Sequence, residues 1–195
     1  MKGKIILGFL SIVVVFVLIV GIGLATGYNK LVDYEVNIDA YYAQIEVRLQ
    51  ERHDKIGEIV AAVEGLQEHA ETIYNAITAA RQAYADAITS GDMDALIAAD
   101  AAEAIALTDV LVAVEDNPLI TATAGYMALI DECSSMESAL AVARRDFNEA
   151  VADYNAAIRK FPTVLYAGVV GFTGPKEYWK MNDGAEEVPT IDFTN

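Results

Sequence analysis

The stretch Asn117–Pro162 reads NPLITATAGYMALIDECSSMESALAVARRDFNEAVADYNAAIRKFP. Apolar groups recur in it at Tyr126, Ile130, Cys133, Met136, Leu140, Ala143, Phe147, Val151, Tyr154, Ile158 and Phe161. The gaps are three or four residues throughout. An α-helix turns once per ~3.6 residues, so these positions share one stripe. A stripe this apolar cannot face water and demands partner helices. Pro118 fits a helix's first turn, because its missing amide is not needed there, and Pro162 stops the helix. The stretch therefore predicts one long core helix.

Its partners lie upstream. From Tyr34 to about Ser90 there is no proline, and apolar positions again recur by three and four. They are Ile38, Tyr42, Ile45, Leu49, Ile56, Ile59, Val63, Leu66, Ile73, Ile77, Ala80, Tyr84 and Ile88. Arg52 interrupts the stripe and Ala70 thins it. Gly57 and Gly65 each weaken a helix by up to ~1 kcal/mol without breaking it. Some fifty helical residues would extend ~80 Å, either as one rod or as two helices bent near Gly65. The rod is the preferred reading. Ser90-Gly91-Asp92 then signals a turn, with Gly91 ending one helix and Asp92 capping the next. The segment 92–115 reads as a third helix with Met93, Leu96, Ile97, Ala104, Leu107, Leu111 and Val114 facing inward. After Pro162 the character changes to glycine, proline and little periodicity. The run Val164–Phe172 is apolar but too short to cross a bilayer, so it is expected to pack along the bundle. Gly184–Asn195 reads as an acidic, loosely held tail.

Residues 5–25, IILGFLSIVVVFVLIVGIGLA, carry no charge. As a helix they would reach ~31 Å, close to the ~30 Å hydrocarbon core of a membrane. The run exceeds the ~7–15 apolar residues of a usual signal core, which favours a retained anchor over a cleaved leader. Lys2 and Lys4 precede it and Lys30 follows. The positive-inside rule then puts the N-terminus in the cytoplasm and the rest outside. Tyr28 stands where an interfacial aromatic belongs. Four parts follow: 1–4 as a short N-terminus, 5–27 as a transmembrane helix, 28–162 as a helical bundle, and 163–195 as an irregular tail packed on it. The fold class is all-α, an up-and-down antiparallel bundle behind a membrane helix.

Lys2 and Lys4 are the charged residues of 1–27, so 28–195 holds 11 basic against 29 acidic groups, a formal −18. Such a surface repels phosphate backbones, which disfavours nucleic-acid binding, and it disfavours membrane docking through a basic patch. The lone cysteine, Cys133, lies in the core stripe and reads as a small hydrophobe.

The same residues resemble the LemA family. The matching pieces are Tyr28-Asn29-Lys30-Leu31-Val32, Ile45-Glu46-Val47-Arg48-Leu49-Gln50 with Arg52, Ala80-Arg81, Asn117-Pro118-Leu119 and Ala143-Arg144-Arg145-Asp146-Phe147-Asn148. Tyr154-Asn155 to Phe161-Pro162, Gly171-Phe172 and Val188-Pro189 to Asp192-Phe193 complete the pattern. In the segment Glu51–Val60, Gly57 stands where family members usually carry proline, so a kink placed there in relatives is not expected here. The resemblance implies a prokaryotic membrane protein with a helical bundle, and no settled activity.

Catalytic and metal motifs are missing. The histidines are His53 and His69, preceded three positions earlier by Gln50 and Leu66, so the Glu-x-x-His pairs of a di-iron bundle do not occur. There is no nucleophile elbow, phosphate loop or dinucleotide fingerprint. The expectation is no enzyme and no cofactor. Six arginines stand on acidic helices: Arg48, Arg52, Arg81, Arg144, Arg145 and Arg159. Arg52, Arg81, Arg144 and Arg145 are candidate register or partner positions. Ion pairs that set helix register are favoured over a partner or anion site. The preferred function is a membrane-anchored scaffold or adaptor of the cell envelope. Its expected contacts are the lipid bilayer through 5–27, a second copy of the chain, and an unidentified membrane or envelope protein. The alternative is a module binding an envelope ligand in a groove of the bundle.

Overall fold

The computed structural model describes residues 2–63, 70–115 and 124–180, and it is all-helical among them. Helix α1 runs Lys2–Val63, α2 Ala70–Ser90, α3 Met93–Glu115 and α4 Ala124–Ala157. A short 3-10 turn, Thr163–Leu165, follows. The preferred single rod over 34–90 is corrected: α1 ends at Val63 and is continuous with the apolar run, while α2 is a separate helix. It packs back on α1, Tyr84 stacking on His53 and Ile77 meeting Ile56 in the core, so the two-helix alternative holds. The bend considered near Gly65, the entry of the long helix at Pro118, His69 and the tail Gly184–Asn195 lie outside the described residues.

Each boundary has a local cause. Gly91 adopts φ +66°, the left-handed conformation that glycine tolerates and that ends α2. The Asp92 carboxylate then accepts from the amides of Asp94 and Ala95 at 2.9 and 3.3 Å, satisfying two orphan donors of α3. The long helix closes earlier than its apolar pattern suggested. Regular α4 stops at Ala157, and a turn carries the chain over Ile158 and Arg159 to Pro162. Phe161 is consequently not on the stripe and is 80% exposed.

The chain divides into two compact units, and α1 and α4 contribute to both. One gathers Met1–Tyr42 with Asp146–Tyr178, the other Ala43–Arg145 with Trp179–Asn195. In the second, α2 and α3 pack as an antiparallel pair. Its core joins Ile56 of α1, Ile77 and Ala80 of α2, Ala106, Leu107 and Val110 of α3, and Cys133 of α4. Burying each large aliphatic side chain contributes about 1.5–3 kcal/mol.

The stripes of α1 and α4 fall where periodicity put them: Ile38, Ile45, Leu49, Ile56, Cys133, Leu140, Phe147, Val151 and Tyr154 are all buried. Two faces are corrected. In α2, Ala87 is buried and Ile88 is exposed. In α3 the inner face is Leu96, Ala99, Asp100, Glu103, Ala106, Leu107 and Val110, while Ala104 is half-buried and Ile105 is exposed. Two acids on that face made its true register look polar.

In the first unit, α1 from Ile6 to Thr26 has every side chain exposed. It is long and apolar enough to cross a membrane and is the candidate span. Beyond it, Leu31 and Ile38 are buried, and Tyr42 packs on Phe147 with ring centroids 5.9 Å apart.

Candidate functional site

Arg52 sits in the middle of the α1 stripe, 1% exposed. A guanidinium survives there only because acids meet it. Its Nη2 donates to the Asp100 carboxylate at 2.6 Å and to the Asp100 backbone carbonyl at 2.8 Å. Its Nη1 donates to Glu137 Oε1 at 3.0 Å, and Glu103 Oε2 stands 3.6 Å from Nη2. One arginine on α1 is thereby tied to α3 and α4. Arg144 of α4 reaches the same Asp100 carboxylate from the other side. Arg144 is less deeply set, its side chain 27% exposed.

Glu103 is wholly buried and continues the network outward. His53 Nδ1 lies 2.7 Å from Glu103 Oε1. The His53 ring stacks on Tyr84 of α2, centroids 4.5 Å apart, and the Tyr84 hydroxyl donates to Gln50 at 3.2 Å. Four helices thus contribute polar groups to one cluster. Lys55 adds a bridge near the surface, to Glu58 at 2.7 Å and Glu132 at 2.9 Å.

The electrostatics follow from burial. Burial opposes charge on Arg52, yet Asp100, Glu137 and Glu103 together hold its pKa above the ordinary arginine value. For Glu103 burial wins: its pKa is raised even though His53 and Arg52 pull the other way. Burial also pushes the Tyr84 phenol up to about 12, with Glu103 adding to the effect. It raises the Cys133 thiol as well, which favours the protonated form of that cysteine. Among the described residues, three buried polar atoms have no hydrogen-bond partner: Arg52 Nε, Arg144 Nε and Glu103 Oε2. The cluster is therefore rich in charge and tightly drawn onto its arginines. Among the described residues no three of His, Cys, Asp and Glu converge as metal ligands would.

The four arginines singled out from sequence part company here. Arg52 and Arg144 meet on Asp100. Arg81 is exposed on α2 and lies over Gly57, where an added Cβ would stand 3.2 Å from its Nη1. Arg145 is exposed. Asp100, Glu103 and His53 belong to the cluster without having been singled out. The signal that could have found them was the arginine itself, since a cation inside an apolar stripe requires acids on the facing helices.

A second polar feature lies in the first unit. A groove of about 340 Å³ is lined by Tyr34, Asn37, Tyr41, Asp146, Glu149, Ala150 and Asp153. In the same unit, Asn155 clips the tail: its side chain donates to the Lys176 carbonyl at 3.0 Å and accepts from the Lys176 amide at 2.8 Å. Lys176 bridges to Glu35 at 3.0 Å, and that bond, above the cost of desolvation, raises the lysine pKa. Phe172 packs edge-on against Tyr28 with ring centroids 5.6 Å apart, and tilted against Tyr154 at 6.5 Å.

The family model described as LemA family matches residues 41–193, most of the chain, beginning after the apolar run. No curated protein matches the chain.

Proposed function

The chain belongs to the LemA family, and on that premise we propose that it is a single-pass, membrane-anchored helical scaffold without catalytic activity. One observation carries this reading. The same uninterrupted helix, α1, bears a bare apolar run at Ile6–Thr26 and the stripe that builds the bundle. The anchor is thereby joined to the stripe by helical backbone. The charged cluster fits the same role. Its arginines and carboxylates are spent on one another, which sets the mutual register of α1, α3 and α4. The bundle faces the extracytoplasmic side, as the lysines before the run favour.

Crosslinking in native membranes tests the proposal. The expected result is an alkali-resistant membrane protein that crosslinks reproducibly to a second copy or to another envelope protein. Recovery of a strict monomer at all concentrations, with no protein crosslinked, would sink it. Arg144→Met separates register from recognition. A chain that keeps its stability but loses its crosslinks would make Arg144 a partner contact.

The groove by Tyr34 and Tyr41 favours a second reading, a module that holds a ligand. Asp146, Glu149 and Asp153 give the groove a cation-favouring rim. Calorimetric titration with polyamines and basic peptides tests this. An absence of heat with both would remove it.

A further inference from the structure

Val164–Phe172 was expected to pack along the bundle, and only part of it does. Ala167 and Phe172 are buried. Val164, Leu165, Val169 and Val170 are exposed, Leu165 by 70% and Val169 by 88%, and Phe161 just before them is exposed as well. The segment is wound in tight turns, with backbone bonds from Ala167 to Thr163 and from Val170 to Tyr166. Its inward residues dock on α1 at the point where the apolar run ends. Tyr166 lies so close to Gly27 that a Cβ there would overlap the phenol oxygen, and Phe172 meets Tyr28. If α1 spans 5–27, Gly27 and Tyr28 lie at the membrane boundary, and so does the segment.

We propose that Phe161–Val170 is a second membrane contact, seated in the interfacial layer of the bilayer that α1 crosses. The inference rests on the membrane-anchoring reading. Three features point to lipid as the occupant. The segment that carries the exposed apolar side chains is held beside the end of the apolar run, by Tyr166 against Gly27 and Phe172 against Tyr28. Arg159 and Lys160 are exposed immediately before the segment. They form a basic step on a chain whose residues beyond the run are formally −18, and their long apolar stems let the charged ends reach the headgroup layer. Tyr28 and the Tyr166 phenol, which lies against Gly27, stand beside the end of the run, where amphipathic rings concentrate in membrane proteins. A short apolar segment of this kind enters only about 5–10 Å, the depth of an interfacial element.

The test uses the full-length chain carrying Cys133→Ala, reconstituted in vesicles of mixed zwitterionic and anionic phospholipid. An environment-sensitive fluorophore is attached in turn to Leu165→Cys, Val169→Cys, Val14→Cys within the run, and Asp131→Cys on α4. The expected result is blue-shifted emission at 165 and 169, quenched more by headgroup-level nitroxide lipids than by nitroxides at acyl ends. Position 14 should show the opposite depth preference, and 131 should be unquenched. Quenching at 14 but not at 165 and 169 would overturn the interfacial contact while leaving the anchor intact. Blue-shifted emission at 165 and 169 that ignores the nitroxides would put a second copy of the chain over the segment, and would also overturn it. Absence of quenching at 14 would remove the anchor and the contact together.

Discussion

Arg52 and Arg144 share Asp100 but do not share its burial. Arg52→Met would leave Asp100 to Arg144 and Glu103 to His53, removing the one deeply buried cation that both acids face. Breaking a buried pair from one side costs about 3–5 kcal/mol. Arg144→Met keeps the Arg52–Asp100 contact and should cost less. Guanidinium titration of the two variants in detergent, followed by helical circular dichroism, gives the ranking; equal losses would contradict it. Glu103 adds a pH signature. Its folded pKa is raised by burial, so the folded state holds its proton more firmly than the unfolded one. The stabilisation is complete below the ordinary glutamate value of about 4.3 and is lost as pH rises through the folded value. Glu103→Gln lacks this dependence. The stability of the unaltered protein relative to Glu103→Gln should therefore fall as pH is raised from about 4, measured as the difference between paired denaturation curves. A flat difference would show that Glu103 titrates as it does in the unfolded chain.

At the scale of the helix, two local features have opposite expected signs. Asp92→Ala removes the acceptor for two α3 amides and should cost about 1 kcal/mol. Gly57→Ala should stabilise by up to about 1 kcal/mol through helix propensity, because the atom it crowds is the tip of a flexible, exposed arginine. Thermal midpoints of the two variants check both directions. The elements were also where the sequence was most legible. Tyr154, Phe147, Leu49 and Ile45 fall in the core because large apolar groups at helical spacing have nowhere else to go. The face of α3 was not legible. Asp100 and Glu103 count as surface residues in any apolar pattern, and their alignment with Ala99 and Leu107 becomes sensible only once Arg52 is opposite. Phe161 erred the other way: Pro162 disrupts the helix several residues upstream of itself, which turns an apolar residue outward. The candidate site was half legible, through Arg52 and Arg144. His53, Asp100 and Glu103 needed the fold, since they come from helices about fifty residues apart in sequence.

For the whole molecule, charge and burial respond to salt in different ways. Residues 28–195 carry a formal −18, with Asp and Glu far outnumbering Lys and Arg. Self-repulsion opposes the compact state and is screened over about 10 Å at 0.1 M salt and about 3 Å at 1 M. Added sodium chloride should therefore raise the thermal midpoint of the protein in neutral detergent. The Arg52 cluster is shielded from mobile ions, so the loss caused by Arg52→Met should barely change over the same salt range. A midpoint that falls with salt would mean that surface ion pairs, such as Lys55 with Glu132, outweigh the repulsion.

The location of Arg52 also bears on the order in which the chain is made. Its acceptors lie 48 and 85 residues downstream, at Asp100 and Glu137. During synthesis α1 emerges first, with a cation in the centre of the face it must later bury. Any early pairing of α1 with α2 alone would carry that cation into an apolar contact without an acid to meet it, at a cost of several kcal/mol. A chain truncated before α3 would therefore have no Asp100 or Glu137 to meet Arg52, and its α1 should not pack as it does in the full bundle.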